Sequence, residues 1–350
     1  MNLFQAAMRR MNDTQRPPVW FMRQAGRYHS HYQALRKEHS FVELCKTPQV
    51  ACEATLGPVE DFGFDAGILF SDLLFPLEAM GMGLSYNEGP ALSWHLKTNA
   101  QLAQLRGGVE LAQHMNFQGD AMKLIRAALP KDKGLLGFVG GPLTLFFYAV
   151  EGSHKGDLAD ARAGLSDGRF EGFCDLLCEL LAENMAIQAR NGADTIAILD
   201  TCGGEVDPMQ FKTLIVPQLK RVIELFHRRC PDFPITYYSK KTDSEYWKSL
   251  VELPISVLGI DWNHSLPEVL KNWSDRFAIQ GNVDPEWLFL PAEELEARLF
   301  KVFESVRELP AKLRRGWICG LGHGVLPKTP ESNVRLFLRM EREIFGGMSS

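Results

Sequence analysis

"PVWFMRQAGRYHSHY", residues 18–32, opens with five apolar residues and then turns polar, setting Arg23, Gln24 and Arg27 around Gly26. A short apolar run without alternation, ending in a polar mouth, reads as a strand buried on both faces. The pattern recurs along the chain: "AGILF" (66–70) before Ser71-Asp72, "LLGFV" (135–139) before Gly140-Gly141-Pro142, and "TIAIL" (195–199) before Asp200-Thr201. It returns as "ITYY" (235–238) before Ser239-Lys240, "SVLGI" (256–260) before Asp261-Trp262, "FAI" (277–279) before Gln280-Gly281-Asn282, and "GWICGL" (316–321) before Gly322-His323.

Segments of helical periodicity lie between most of these runs, among them 173–190 and 209–229. Eight strand–helix units predict an α/β fold, a closed parallel (β/α)₈ barrel. The rival, a doubly wound open sheet binding a dinucleotide, would carry a glycine fingerprint after its first strand, and none is present. The barrel is expected to span residues 1–350 as one domain. Segments 73–134 and 143–194 are too long for a minimal barrel and should hold extra turns, hairpins or helices, distorting it.

Such barrels place their active sites at the carboxyl ends of the strands. Arg23, Gln24, Arg27, Asp72, Thr201, Asp261 and His323 would therefore gather round one opening. Arg23 and Arg27 would share a face if helical, but Gly26 favours an irregular turn. Two guanidinium forks beside an amide at a strand mouth form an anion clamp, although a random Arg pair is more often exposed or salt-bridged. Asp72 fits a helix N-cap, or an acceptor for substrate N–H groups opposite the clamp. Tyr148 is either a core tyrosine or a pocket residue. Thr201 precedes Gly203-Gly204, where a backbone can approach a ligand closely. His323, between two glycines, has little local packing to satisfy.

Composition narrows the class. The 350 residues carry a net charge of −5, with 45% hydrophobic and 23% charged residues, as in ordinary soluble proteins. That balance argues against a general nucleic-acid or anionic-membrane binder, while leaving room for a locally basic pocket. No stretch is long and apolar enough for a membrane span, and the amino end does not read as a signal peptide. Seven cysteines suit a reducing cytoplasm better than a disulfide framework. Without a Cys-x-x-Cys or His-x-Cys pair, no zinc site is expected.

Taken in order, "PVWFMRQAGRY", "FSDLL", "GGPLTLFFYAVEG", "LGIDW", "QGNVDP" and "GLGHGVLP" closely resemble the uroporphyrinogen decarboxylase family, over about Leu3 to Phe345. The resemblance implies a distorted (β/α)₈ barrel, a homodimer, and cofactor-free conversion of the four acetates of uroporphyrinogen III to methyls, giving coproporphyrinogen III. Carried over by motif, Arg23 and Arg27 bind substrate carboxylates and Asp72 accepts the pyrrole N–H groups. Tyr148, Thr201 and His323 complete the pocket, with Gln24 near it. Asp72 and Arg23 are the catalytic candidates: the first stabilises a protonated pyrrole, and the second either donates the proton or places the acid or water that does. The chain departs from the family at His29-Ser30-His31, at "YYSKKTDSEYW" (237–247), where a Lys-Gly mouth is usual, and at Cys202. Two rivals are a corrinoid-related methyltransferase on the same barrel and a non-catalytic porphyrinogen binder. The first needs a His-x-Cys pair near 236–242 that the sequence lacks.

Overall fold

The computed structural model describes residues 1–14, 16–87 and 89–346. Among the described residues nine strands occur in chain order: β1 Ala66–Ile68, β2 Leu84–Tyr86, β3 Pro90–Leu92, β4 Gly134–Gly140, β5 Thr195–Asp200, β6 Ile235–Ser239, β7 Val257–Gly259, β8 Ala278–Val283 and β9 Trp317–Leu321. Seven form one parallel sheet ordered β1-β4-β5-β6-β7-β8-β9, and β2 and β3 pair as an antiparallel hairpin within 73–134. Every residue of β4, β5, β6, β8 and β9 is buried, which explains their unalternating apolar sequences.

The eighth expected strand, 18–22, is reduced to a single parallel bridge, Val19 to Cys319. Its backbone nevertheless meets both outer strands of the sheet. The Cys319 N–H donates to the Pro18 carbonyl at 2.9 Å, and the Trp20 N–H to the Cys319 carbonyl at 3.3 Å. On the other side the Asp65 N–H donates to the Val19 carbonyl at 2.8 Å, and the Asp65 carboxylate accepts the Val19 N–H at 2.8 Å. Pro17 and Pro18 have no N–H to offer a ladder, which keeps this segment from a longer strand register.

The 173–190 periodicity becomes the helix Arg169–Arg190, which buries Phe170, Phe173, Cys174, Leu177, Cys178 and Leu181 on one face. Both cysteines are thus core residues, and all seven cysteines are free. The 209–229 periodicity is less regular than predicted. A short turn at Pro208–Gln210 passes through a wide π-type turn, Phe211–Ile215, before the helix Val216–Arg229. Pro217, with no amide proton for the preceding turn, stands at that junction. Among the described residues no helix is long and apolar enough to cross a membrane.

Beneath the sheet, Arg16 forks onto Asp65 at 2.6 and 3.0 Å, and its Nε lies 3.3 Å from Glu341. The Glu341 side chain is fully buried, and neither carboxyl oxygen has an aligned hydrogen bond. Burial pushes its pKa up to about 8; Arg16 opposes the rise and Asp65 adds to it. The native state then holds a proton that the unfolded chain releases above its ordinary value of roughly 4.3. Stability from this group is complete below that value and is lost as pH rises toward about 8. Glu341→Gln should flatten this fall, so that thermal melts at about pH 5 and about pH 8 differ less than in the wild type. An unchanged wild-type pH slope in the variant would assign the effect elsewhere.

Candidate active site

Because all seven strands of the sheet are parallel, the loops after them open on one side. The turn that carries Arg23 follows the Val19 segment, which runs parallel to β9. Gln24 is buried and both ends of its amide are occupied: Oε1 accepts the Phe21 N–H at 3.1 Å and Nε2 donates to the Ala66 carbonyl at 3.0 Å. The Tyr28 hydroxyl donates to the Gln24 carbonyl at 2.8 Å. Gln24 therefore shapes the turn from below instead of presenting its amide to a ligand. Arg23 sits at φ +61°, a left-handed conformation uncommon outside glycine, and the residue is exposed. The turn is not helical, as Gly26 suggested; the next helix starts at Ser30.

Arg23 runs alongside Gly324, where an added Cβ would come within 2.5 Å of the arginine Cδ. Gly324 thus clears the path for this side chain. Its neighbour His323 stacks on Tyr238, with centroids 5.7 Å apart and planes 9° apart. The Tyr238 hydroxyl donates to the Gly322 carbonyl at 2.8 Å and lies 3.1 Å from His323 Nδ1. Burial, then Arg23, Lys240, His154 and Lys155, push the imidazole down to about 3, so His323 is neutral at neutral pH.

Asp72 keeps some contact with solvent, yet its carboxyl is packed deeply enough that burial raises its pKa. The Leu74 N–H, the Tyr86 hydroxyl and the charge of Arg23 pull the other way. Its Oδ1 accepts that N–H at 2.8 Å in an Asx turn, and the helix that follows, Phe75–Ala79, has Leu74 at its N-cap position, so Asp72 is not the cap. The Tyr86 hydroxyl faces the same carboxyl from β2, buried and without an aligned hydrogen bond. One carboxylate oxygen is committed to the Leu74 N–H.

Tyr148 lies on the helix Pro142–Glu151, which starts directly after β4. Asp200 at the end of β5 anchors that helix, accepting the Thr144 N–H at 2.9 Å and its hydroxyl at 2.7 Å. The Tyr237 hydroxyl donates to the other Asp200 oxygen at 3.3 Å. Asp200 is wholly buried, and burial raises its pKa to about 6. Gly141 gives it room, since a Cβ there would overlap the Asp200 carboxyl. Tyr148 senses the charges of Asp72 and Arg23, and burial pushes its phenol up to about 12. Thr201 is half-buried just past Asp200.

The structure thus brings Arg23, Asp72, Tyr148 and His323 into one electrostatic neighbourhood. No contact among the described residues joins Arg27 to that group. Arg27 is exposed, its charge is felt at Tyr32, and its carbonyl accepts from Gln33. Asp261 works on backbone instead, accepting the Lys241 N–H at 2.7 Å and the Asn263 N–H at 3.0 Å. The sequence reading missed His154, Lys155 and Tyr238 as neighbours of the site, and Lys240 was read only as part of a mouth. Lys240 Nζ stands 4.8 Å over the Trp262 ring. Among the described residues no group of three His, Cys, Asp or Glu side chains could hold a metal. The surface concavity between Asp61, Phe62, Arg335 and Arg342 shares no residue with the cluster.

The unusual segments have local explanations. Lys241 takes φ +59°, a conformation suited to glycine. Its N–H is held by Asp261, and its Nζ pairs with Glu205 at 2.9 Å. Gly204 lies beneath the Lys240 and Lys241 carbonyls, where a Cβ would clash. His29 is buried with Nε2 2.7 Å from Asp61, and His31 packs over Gly57, so this segment seats the helix Ser30–Glu38 on the helix Pro48–Phe62.

Known proteins bear on this arrangement. In solved structures, a methyltransferase from Methanosarcina mazei superposes with a TM-score of 0.79 at 18% identity, covering 99% of this chain and 100% of that one. At that identity the likeness is one of fold. Among curated sequences, the uroporphyrinogen decarboxylase of Pelobacter propionicus is 34% identical over 93% of both chains. That of Rickettsia bellii is 32% identical, covering 98% of this chain and 99% of its own. The rice protein described as uroporphyrinogen decarboxylase 1, chloroplastic, is 32% identical over 94% of this chain and 81% of its own. The family model described as uroporphyrinogen decarboxylase matches residues 1–344. With Arg23, Asp72, Tyr148 and His323 all inside the matched region, the chain belongs to the uroporphyrinogen decarboxylase family.

Proposed function

We propose that the chain is a uroporphyrinogen decarboxylase: one distorted eight-stranded barrel domain, closed through the Val19 segment, that converts the four acetates of uroporphyrinogen III to methyls. The observation that carries this reading is the placement of a desolvated carboxylate, Asp72, within the field of Arg23 in a chain matched end to end by the family. Arg23 and Arg27 take substrate carboxylates, Asp72 accepts pyrrole N–H groups, and Tyr148, Thr201 and His323 line the pocket. Gln24 acts from beneath, through the turn.

Loss of CO₂ leaves an electron pair that needs a sink, commonly supplied by a cofactor. A pyrrole can supply its own. A proton added to a ring carbon creates a cation conjugated with the N–H. The bond to the carboxyl then breaks, its electron pair neutralises that cation, and an exocyclic methylene remains. The methylene takes a proton to become methyl, and the ring carbon gives one back. Each acetate therefore consumes one proton and releases one CO₂. Asp72 beneath the N–H groups favours the cation over the neutral ring, which is the differential binding that lowers a barrier. Arg23 either donates the first proton or places the acid or water that does.

The methyltransferase fold alone does not favour methyl transfer, because the mouth of β6, "YYSKKT", has no His-x-Cys pair. A purely binding role leaves a carboxylate tuned to a transient cation without a purpose. The reading extends to a cytoplasmic homodimer with its two clefts facing. Incubating the purified protein with uroporphyrinogen without oxygen, then separating products by carboxyl number, should show hepta- through tetracarboxylates accumulating in turn. Unchanged octacarboxylate after prolonged incubation would refute the assignment.

A further inference from the structure

His154 belongs to none of the motifs that define the site, yet its ring meets the Tyr148 ring with centroids 5.4 Å apart. Its Nδ1 lies 2.5 Å from the Tyr148 hydroxyl, a short bond between two half-buried side chains. The backbone is built for this contact. The helix Pro142–Glu151 ends on Gly152 at φ +71°, and the chain turns back there so that a residue six positions on can reach the tyrosine. Glycine suits position 152, because any Cβ would strain the backbone there and would come within 2.5 Å of His95 Nε2.

The bond bears on the histidine's tautomer. Burial holds the Tyr148 phenol protonated, and its O–H has no other acceptor among the described residues, so the arrangement that uses this proton has the O–H donating and Nδ1 accepting. Nδ1 is then bare and the ring proton sits on Nε2, for which no protein partner occurs among the described residues. Around the ring, Lys155, Arg23 and Lys240 add to the effect of burial in holding the imidazole below its ordinary pKa, and Glu205 alone opposes them. An uncharged donor among three cations, at the mouth of a site read as taking a polycarboxylate, is suited to an anionic acceptor.

We propose that His154 is a carboxylate-binding residue of this chain, offering Nε2–H to a substrate carboxylate while Tyr148 locks the ring in that tautomer. The inference rests on the decarboxylase reading of the site and adds to it a residue and its donor atom.

Gln and Asn variants separate the two ring nitrogens, since a glutamine amide reaches the position of Nε2 and an asparagine amide that of Nδ1. His154→Asn should raise KM for uroporphyrinogen about tenfold with kcat changed less than about twofold, the effect of losing one hydrogen bond to a charged group. His154→Gln should bring KM back to within about twofold of the wild type. In ¹⁵N-histidine spectra the resonance absent from the variants should report a protonated Nε2 and a bare Nδ1, and Tyr148→Phe should mix the tautomers. Rescue by Asn and not Gln would overturn the proposal, as would an unchanged KM in both. Arg23→Gln serves as the reference: if it too leaves KM unchanged, the site reading itself fails. A raised KM there beside an unaffected His154→Asn defeats this inference alone.

Discussion

Asp72→Ala should lower kcat about a thousandfold while uroporphyrinogen still binds, the size of loss seen when a preorganised partner of transition-state charge is removed. On the decarboxylase reading, the carboxylate that holds the Leu74 N–H on one oxygen offers the other to pyrrole N–H groups. In the ground state those groups are neutral donors, so their loss to alanine removes modest binding. In the transition state the ring is cationic, and the missing charge is felt in full. KM should therefore move much less than kcat. Asp72→Asn discriminates further. If its carbonyl oxygen keeps the Leu74 N–H, its NH₂ faces the pyrrole N–H groups, donor against donor. Asparagine should thus match alanine in kcat and bind worse. Near wild-type turnover in either variant would remove Asp72 from the chemistry.

The same carboxyl shapes the pH profile. Burial raises its pKa, so the folded protein releases that proton at a higher pH than a free aspartate does. If Asp72 stabilises the pyrrole cation as proposed, the free enzyme needs it ionised, and kcat/KM should fall on the acid side as pH drops through this raised value. Tyr86, whose buried hydroxyl faces the carboxyl, and Arg23 both favour the ionised form and limit the rise.

How far the sequence foretold this site depended on what each residue answers to. Strands buried on both faces announce themselves by composition, and seven of the eight apolar runs became sheet strands. The run at 18–22 did not, because its pairing is decided by Asp65 and Cys319, both distant in the chain. Asp72 and His323 were legible because each follows directly on a strand whose end must open at the mouth. Arg27 was joined to Arg23 by their shared place after one apolar run and by the family motif, and the turn between them, irregular as Gly26 suggested, leaves Arg27 exposed. His154 gave no sign at all. Its place depends on Gly152 reversing the chain and on Tyr148 waiting six residues back, and neither is a periodicity. Gln24 shows the converse error, since an amide beside two arginines reads as a ligand group until the unpaired Phe21 N–H and Ala66 carbonyl beneath it are known.

Gly320→Ala should break the junction on which the Arg23 turn depends. Gly320 lies in β9, where a Cβ would stand 2.5 Å from the Trp20 carbonyl oxygen and 3.1 Å from Gln280 Nε2. The oxygen is backbone and cannot swing aside, so the 18–22 segment must move off β9. That movement strains the hydrogen bonds joining Pro18 and Trp20 to Cys319, and also the Val325 N–H bond to the Met22 carbonyl at 2.9 Å. Overpacking of this kind costs about 1–3 kcal/mol, visible as a lower urea midpoint at unchanged slope. Activity should fall with it, because Arg23 is three residues beyond the clash. Gly324→Ala offers the contrast. The three atoms nearest its Cβ all belong to the Arg23 side chain, which can rotate away. Stability should hold while kcat/KM drops about a hundredfold, the penalty for a guanidinium displaced by about an ångström. Gly89→Ala, with open space around its Cβ, should change neither. If Gly320→Ala unfolds at the wild-type midpoint, the close approach of Trp20 to β9 is not what holds the first segment in place.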